Sequence, residues 1–368
     1  MELVELEVLT KTEAIVAVFL WMLPFLANIR LLNNPNSAKG VGLFAFGFLA
    51  ILFSTFAYTT GDYFHYKRIY ELCLIAGEAI HVENIYYWLI NILPRSYTLW
   101  RLVLWGGAII IWLILVKRLK LKPQLAGLVM TLVLLAYFPN MRQSLGFALM
   151  YLSLSFYYIP IPKFKTTSYL LCFIGLLACT YLHKSMIVYI LLAFVAFLPF
   201  SRWIVNVLLI IFPLLYASIK IYSANFLSAS FIEENTAEFG LLYLEMSNQT
   251  LTIWGWIQTF VLRLPIILSV IYGLRNLYYK KMMISPIQEL LVKMSFIYLY
   301  VGCLFWGQDL SAFLANRFLD ACYYPLSLLL TFYIGEHLKV KELKTLRRIM
   351  YLFLISNLYL FAYTIYKL

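Results

Sequence analysis

Apolar runs long enough to cross a lipid bilayer recur along this sequence, and they constrain its fold more than any other feature. One example is RLVLWGGAIIIWLILV, residues 101–116. A helix that crosses a bilayer needs about 20 mostly apolar residues. Because 63% of the 368 residues are hydrophobic and only 12% are charged, one soluble core could not bury them all. The long, continuous runs predict an all-α polytopic membrane protein.

Polar breaks divide the chain into about twelve predicted transmembrane helices within a single integral membrane domain, residues 1–368. The predicted spans are 12–30, 41–59, 97–116, 124–138, 142–160, 167–183, 186–200, 203–222, 251–274, 287–305, 320–335 and 347–366.

Two longer segments lie between predicted spans. Residues 61–96 carry tyrosines at helical spacing, but their apolar pieces are too short to cross, which predicts interfacial or re-entrant helices. Residues 223–250 form an acidic loop without lysine or arginine. This loop either closes over an outer cavity or is a solvated connection.

Basic residues concentrate in alternate breaks, which predicts the orientation. Cytoplasmic loops of membrane proteins are enriched in lysine and arginine. We therefore expect these loops to face the cytoplasm and both termini to be extracytoplasmic. The same loops account for the net charge of +12 without a nucleic-acid partner. The three strongest clusters contain Lys117, Arg118, Lys120 and Lys122; Arg275, Lys280 and Lys281; and Lys339, Lys341, Lys344, Arg347 and Arg348.

With this orientation, ionisable and polar side chains from distant parts of the sequence meet at the predicted outer face. Charged groups at that depth are costly unless they pair or line a wet cavity, so they are functional candidates. The sequence has no Asp-x-Asp pair, CxxC motif or Cys/His metal spacing, so we expect no metal and no cofactor. The candidates are Asp62, His65, Arg142, Gln143, His183, Ser185, Asp309, Arg317 and Asp320.

Several candidates also have a structural interpretation, and the residues alone leave the choice open. Arg142 could extend to lipid headgroups, and His183 could be a satisfied interfacial histidine. Asp62 could cap the following helix, and Arg317 could pair with Asp320 three residues on. We interpret the deeper ionisable groups as structural ion pairs; these are Arg263, Glu289 and Lys293.

Two stretches carry a resemblance to a known family: MRQSLGFALMYLSLSF, residues 141–156, and ACTYLHKSMIVYILL, residues 178–192. An Arg-Gln opens the first helix and a His-x-Ser closes the second. Together they resemble the EpsG-like branch of Wzy polysaccharide polymerases. Two further features agree: Asp62 followed by Tyr63 and Tyr66, and Arg317 followed by Tyr323 and Tyr324.

The resemblance implies a GT-C-like glycosyltransferase with a cavity at the outer face of the bacterial cytoplasmic membrane. Its donor and acceptor would be oligosaccharide repeat units on undecaprenyl pyrophosphate. A chain-length regulator and a flippase are candidate partners, in addition to membrane lipid.

This chemistry assigns roles to the candidate residues. Negative charge develops on the leaving pyrophosphate, so Arg142 and Arg317 would bind it and Gln143 would assist. Either His183 or Asp62 would act as the general base, and a protonated His183 could instead donate to phosphate. Ser185, Tyr66 and Tyr323 complete the predicted substrate-binding set.

Three other activities use similar parts. A lipid-linked oligosaccharide flippase or transporter would move the substrate without extending it. A membrane acyltransferase would also use a histidine base. A glycan ligase would transfer a finished chain once.

Overall fold

The structure is a computed structural model that describes residues 47–48, 61–79, 82–134, 141–226, 253–279, 284–306, 312–336 and 340–367. Regular structure in these ranges is helical, which confirms the all-α prediction there. The predicted span 12–30, most of 41–59 and most of the loop 223–250 lie outside the described residues.

The described residues form a series of helices. In chain order they are α1 (Gly61–Ala76), α2 (Asn84–Ile92), α3 (Tyr97–Arg118), α4 (Pro123–Val133), α5 (Met141–Tyr158), α6 (Lys165–Leu182), α7 (Met186–Phe197), α8 (Arg202–Phe226), α9 (Ile253–Tyr278), α10 (Pro286–Leu304), α11 (Ala312–Ala321), α12 (Tyr323–Gly335) and α13 (Val340–Lys367).

Local sequence fixes where several of these helices begin. The Ser96 hydroxyl accepts a hydrogen bond from the Leu99 backbone N–H at 3.3 Å and starts α3. At the start of α10, Ser285 and Gln288 form a reciprocal capping box, and Pro286 between them is the first helical residue. These caps satisfy backbone donors that lack a partner inside the helix.

Six helical segments among the described residues are long and apolar enough to cross a membrane, by length and composition. The predicted spans 124–138 and 186–200 correspond to shorter apolar helices, and 142–160 corresponds to α5. The count of twelve stays a prediction. Residues 61–96 are helical over α1 and α2, in agreement with the predicted helices there. The six long segments are Tyr97–Arg118, Lys165–Leu182, Arg202–Ile219, Phe260–Tyr278, Pro286–Leu304 and Ala315–Gly335.

The chain divides into two compact units. Unit 1 contains residues 1–191 and 330–368, and its core includes the fully buried Trp105 and Trp112 of α3. Unit 2 contains residues 192–329, where α10 packs against α9 and α11 around residues such as Leu291. The single integral membrane domain remains a prediction.

In unit 1, two glycines allow neighbouring helices to pack closely, which positions the start of α5 and the turn between α6 and α7. A Cβ on Gly146 of α5 would lie 2.8 Å from Met186 Sδ at the start of α7. A Cβ on Gly175 of α6 would lie 2.1 Å from Ser153 Oγ of α5. Because both positions lack a side chain, the first turn of α5 lies beside the turn between α6 and α7.

Candidate functional site

The carboxylate of Glu83 joins three parts of unit 1 in one polar cluster. Arg142 Nη1 donates a hydrogen bond to Glu83 Oε2 at 2.8 Å. Glu83 Oε1 lies 3.4 Å from His183 Nδ1 and accepts a hydrogen bond from the Lys184 backbone N–H at 3.3 Å. The side chains of Arg142, Glu83 and His183 are 17%, 10% and 19% exposed. We call these three residues, with Tyr66, the Glu83 cluster.

Tyr66 completes the cluster from α1. Arg142 Nε donates a hydrogen bond to Tyr66 Oη at 2.7 Å, and the centre of the guanidinium lies 5.1 Å from the centre of the tyrosine ring. The guanidinium thus commits two of its five N–H donors to contacts in the described residues. The remaining donors leave capacity for a bidentate anion.

Glu83 is held in place by the backbone that surrounds it. It is the N-cap residue of α2, yet its side chain makes no capping hydrogen bond and extends toward Arg142 and His183. Tyr86, one turn on, donates from Oη to the Leu182 carbonyl at 2.6 Å, next to His183. Trp100 Nε1 in turn donates to the Tyr86 carbonyl at 3.3 Å. The first of these bonds fastens the start of α2 to the end of α6, and the second fastens α2 to α3.

The cluster keeps Glu83 ionised. Burial alone would raise the pKa of Glu83, but the hydrogen bond with His183 and the charge of Arg142 outweigh burial and lower this pKa to about 2. An ionised carboxylate only accepts hydrogen bonds, so His183 must donate from Nδ1. In the neutral imidazole Nε2 is then the acceptor atom, whereas in the imidazolium both ring nitrogens donate.

Not all predicted site residues join the cluster. Gln143 is buried and donates from Nε2 to Tyr189 Oη at 3.3 Å, which places it inside the packing of α5 against α7. Ser185 is exposed in the turn after His183. The structure therefore brings together three predicted residues: Arg142, His183 and Tyr66.

Two predicted residues, Arg317 and Tyr323, belong to unit 2. Tyr323 is buried and accepts a hydrogen bond from Arg263 Nη1 at 3.4 Å. Asp320 pairs with Arg263 at 2.6 Å, so its partner lies on another helix, and the alternative of an Arg317–Asp320 pair stays a prediction. The prediction that Arg263 belongs to an ion pair is confirmed.

The second predicted structural pair, Lys293 with Glu289, is also confirmed, at 2.6 Å. Asp62 lies within α1, but its side chain and that of His65 are outside the described part of the structure, as is Asp309. The choice between His183 and Asp62 as the base therefore stays open on geometry. Within the described ranges, no group of three or more His, Cys, Asp or Glu residues could hold a metal ion. Metal independence itself stays a prediction.

Sequence reasoning missed Glu83, the residue at the centre of the cluster. A buried arginine near a membrane face requires an acidic partner, and that requirement was the available signal. However, segment 61–96 also contains Glu71 and Glu78, which are exposed in the structure. Only the folding of α2 against the end of α6 distinguishes Glu83 from them.

Comparisons with known proteins give one finding. No curated protein and no solved structure matches this sequence. The family description that does match is that of the EpsG family, over residues 41–368. The match includes the whole Glu83 cluster and both stretches that carry the resemblance described above. The chain therefore belongs to the EpsG family.

Proposed function

We propose that this protein is a GT-C-like membrane glycosyltransferase that joins undecaprenyl-pyrophosphate-linked oligosaccharide repeat units into a surface polysaccharide at the outer face of the bacterial cytoplasmic membrane. The observation that carries the proposal is the Glu83 cluster, because an arginine and a tautomer-fixed histidine share one carboxylate within a chain of the EpsG family.

Arg142 is the group that receives the donor. When the bond between the anomeric carbon and the pyrophosphate oxygen breaks, negative charge accumulates on that pyrophosphate. A preorganised guanidinium stabilises this charge more in the transition state than in the ground state. Arg317 is the second proposed cation, and the buried Gln143 would orient Arg142 from within the packing of α5 against α7. Tyr323 and Ser185 remain proposed contacts to the saccharide.

His183 is the group that receives the acceptor's proton. The acceptor hydroxyl oxygen attacks the anomeric carbon, the bond to the pyrophosphate breaks, and the hydroxyl proton passes to His183 Nε2. Glu83 holds Nδ1–H and stabilises the charge that the imidazole gains. Asp62 is the alternative base.

Glu83 also has a second role in this proposal. Its carboxylate occupies Arg142 Nη1, a donor that a phosphate oxygen would use. When the donor binds, a phosphate oxygen would replace the Glu83 carboxylate on the Arg142 guanidinium. The Glu83 side chain would then keep its contact with His183. This exchange would link arrival of the donor to activation of the base.

The test uses the purified full-length protein with lipid-linked repeat units and follows product length. Arg142→Ala and His183→Ala should each abolish the ladder of longer products while the protein stays folded. Arg95→Ala is the control. Arg95 is an exposed arginine of segment 61–96, which also contains Tyr66 and Glu83, and its removal should leave the ladder unchanged.

The products also separate this proposal from its rivals. One discrete transfer product would indicate a ligase, and transport without any longer glycan would indicate a flippase. Acyl transfer to the glycan would indicate an acyltransferase. Near-normal ladders from both Arg142→Ala and His183→Ala would contradict the catalytic assignment.

A further inference from the structure

Unit 1 carries a concentrated group of exposed lysines at the end opposite the Glu83 cluster. They lie in two turns, the one after α3 and the one between α5 and α6. Because α5 and α6 each contain 18 residues, this end is about 27 Å from the Arg142 end. Residues 115–125 and 155–170 contain no acidic residue. We call this group the lysine cluster; its members are Lys117, Lys120, Lys122, Lys163 and Lys165.

Arg118 holds the two turns together. Its Nε donates to Ser155 Oγ at 2.8 Å and its Nη2 donates to the Ile159 carbonyl. Its guanidinium lies 3.9 Å from the centre of the Phe156 ring. The end of α3 is therefore fixed against the end of α5, and the lysines of both turns share one surface.

Lys120 occupies a backbone position that favours glycine. Its φ is 54°, in the left-handed region. The Lys120 N–H bonds to the Lys117 carbonyl and the Leu121 N–H to the Val116 carbonyl, each at 3.1 Å. This pair of bonds defines a Schellman helix end, in which glycine is the usual residue at the position of Lys120. A lysine here destabilises the turn relative to glycine.

Lys163 repeats this feature in the second turn. The Phe164 N–H bonds to the Ile161 carbonyl at 3.0 Å, Pro162 is the second residue, and Lys163 is the third with φ 66°. These are the features of a type II turn, whose third position favours glycine. Two adjacent turns thus each hold a lysine where glycine would be less strained. Strain of this kind at two neighbouring cations indicates a role for their charge.

The surroundings place the lysines at the level of lipid headgroups. Exposed aromatic residues lie beside them: Tyr157, Tyr169 and Phe164. The Tyr157 and Tyr169 rings lie 5.7 Å apart across α5 and α6. Exposed aromatic rings of membrane proteins concentrate at the boundary between hydrocarbon and water. In the described residues, Lys117, Lys120, Lys163 and Lys165 form no ion pair that would occupy their charge.

We propose that the lysine cluster is a binding site for the phosphodiester headgroup of an anionic membrane lipid. Several exposed cations at headgroup level, from two stretches of sequence that contain no acidic residue, match the charge and depth of that group. The two turns present Lys120 and Lys163 from a fixed backbone, which lowers the conformational cost of binding. This site is separate from the Glu83 cluster and does not depend on the proposed function.

The test compares lipid binding with stability in the full-length protein. Protein in phosphatidylcholine–detergent micelles is titrated with fluorescently labelled phosphatidylglycerol. The Lys120→Gly/Lys163→Gly variant should bind it more weakly, by about fivefold for each lysine removed. In phosphatidylcholine alone the same variant should melt at a higher temperature than the wild type, because glycine relieves both turns.

Two controls make the result decisive. Lys120→Arg/Lys163→Arg should keep the lipid affinity, and Arg68→Gln/Arg95→Gln, which removes two charges elsewhere in unit 1, should also keep it. Unchanged affinity in the glycine variant would overturn the proposal, and so would an equal loss in the Arg68→Gln/Arg95→Gln variant. A lower melting temperature of the glycine variant would overturn the strain argument. Competition by inorganic phosphate as effective as that by phosphatidylglycerol would indicate a soluble-anion site instead.

Discussion

An arginine paired with a carboxylate lies at the centre of a polar cluster in each unit, but the two clusters use their arginines differently. In unit 2, Arg263 has three side-chain partners: Asp320 at 2.6 Å, Asn316 at 3.3 Å and Tyr323 at 3.4 Å. These partners lie on α11 and α12, so Arg263 ties α9 to both helices. In unit 1, the carboxylate that holds Arg142 also holds His183.

The difference shows that an ion pair near a membrane face does not by itself indicate chemistry. The Arg263 side chain is 9% exposed and its pair joins neighbouring helices, as a structural pair does. The Glu83 cluster adds a histidine that Glu83 orients through Nδ1, and an arginine with N–H donors that are not committed to Glu83 or Tyr66. The presence of the histidine separates a proposed catalytic cluster from a structural one.

The largest expected effect comes from removing each arginine in turn. Arg142→Ala should lower the rate of glycan elongation by about 10³-fold, because the leaving pyrophosphate loses a charged donor. Arg263→Ala should destabilise unit 2 by about 3 kcal/mol, because Asp320 is left without its partner. The measurements are initial elongation rates per folded molecule and midpoints of thermal unfolding.

The two variants should therefore differ in kind. Per folded molecule, Arg263→Ala should stay within about tenfold of the wild-type rate. If Arg263→Ala abolished elongation while remaining folded, the distinction between the two clusters would be lost.

A second pair of variants compares the carboxylate of Glu83 in unit 1 with that of Glu289 in unit 2. Glu83→Gln keeps the shape of the side chain but removes the charge that orients His183, so the elongation rate should fall by about 10–100-fold. If Glu83 also competes with the donor for Arg142, KM for the donor should fall as well. A purely structural Glu83 would not give this split between kcat and KM.

The comparison variant is Glu289→Gln, which removes the partly exposed carboxylate partner of the buried Lys293 in unit 2. Its elongation rate per folded molecule should resemble that of the wild type, while its stability should fall by about 1–3 kcal/mol because the buried ammonium keeps only its hydrogen bond to the Leu198 carbonyl. For Glu83→Gln, a rise in KM for the donor together with the fall in kcat would refute the proposed exchange of phosphate for the Glu83 carboxylate on Arg142.

The parts of this arrangement that could be predicted from sequence follow from periodicity and charge. Apolar runs predict the helices, and alternation of basic breaks predicts that Arg142 and His183 lie toward the same face. Their approach through one carboxylate confirms that they come together. Tyr66 was also predicted, through the resemblance to the EpsG-like family, in which an Asp followed by tyrosines comes after an early span.

The remaining parts depend on contacts that no local pattern encodes. Glu83 is chosen over Glu71 and Glu78 by the Tyr86–Leu182 hydrogen bond, which joins residues 96 positions apart. Similarly, Asp320 pairs with Arg263 on another helix, a contact that its spacing from Arg317 does not predict. Pairing across helices depends on interhelical packing, whereas i,i+3 spacing gives only a local preference.

The lowered pKa of Glu83 predicts how the stability of unit 1 should depend on pH. A carboxylate whose folded-state pKa is about 2 adds stability that is full above its unfolded pKa, near 4.5, and is lost as the pH falls through 2. At pH 7, Glu83→Gln should be less stable than the wild type by about 3 kcal/mol. Thermal unfolding from pH 7 to pH 2 should show this gap closing below about pH 4.5. A constant gap would contradict the assigned charge state.

The smallest expected effect concerns the glycines that set the helix packing of each unit. Gly146→Ala would bring a methyl group against Met186, three residues after His183, whereas Gly302→Ala in unit 2 would meet Leu319, next to Asp320. Each should cost about 1–3 kcal/mol, and Gly302→Ala more, because the Leu319 backbone nitrogen at 3.2 Å cannot move as easily as a methionine side chain. Only Gly146→Ala should also slow elongation, since it displaces the turn that carries His183.

Gly106→Ala in α3 is the control, because its methyl group would meet nothing within 4 Å and should stabilise the helix. Equal slowing by Gly302→Ala and Gly146→Ala would mean that helix packing in unit 2 governs the rate as strongly as the turn at His183.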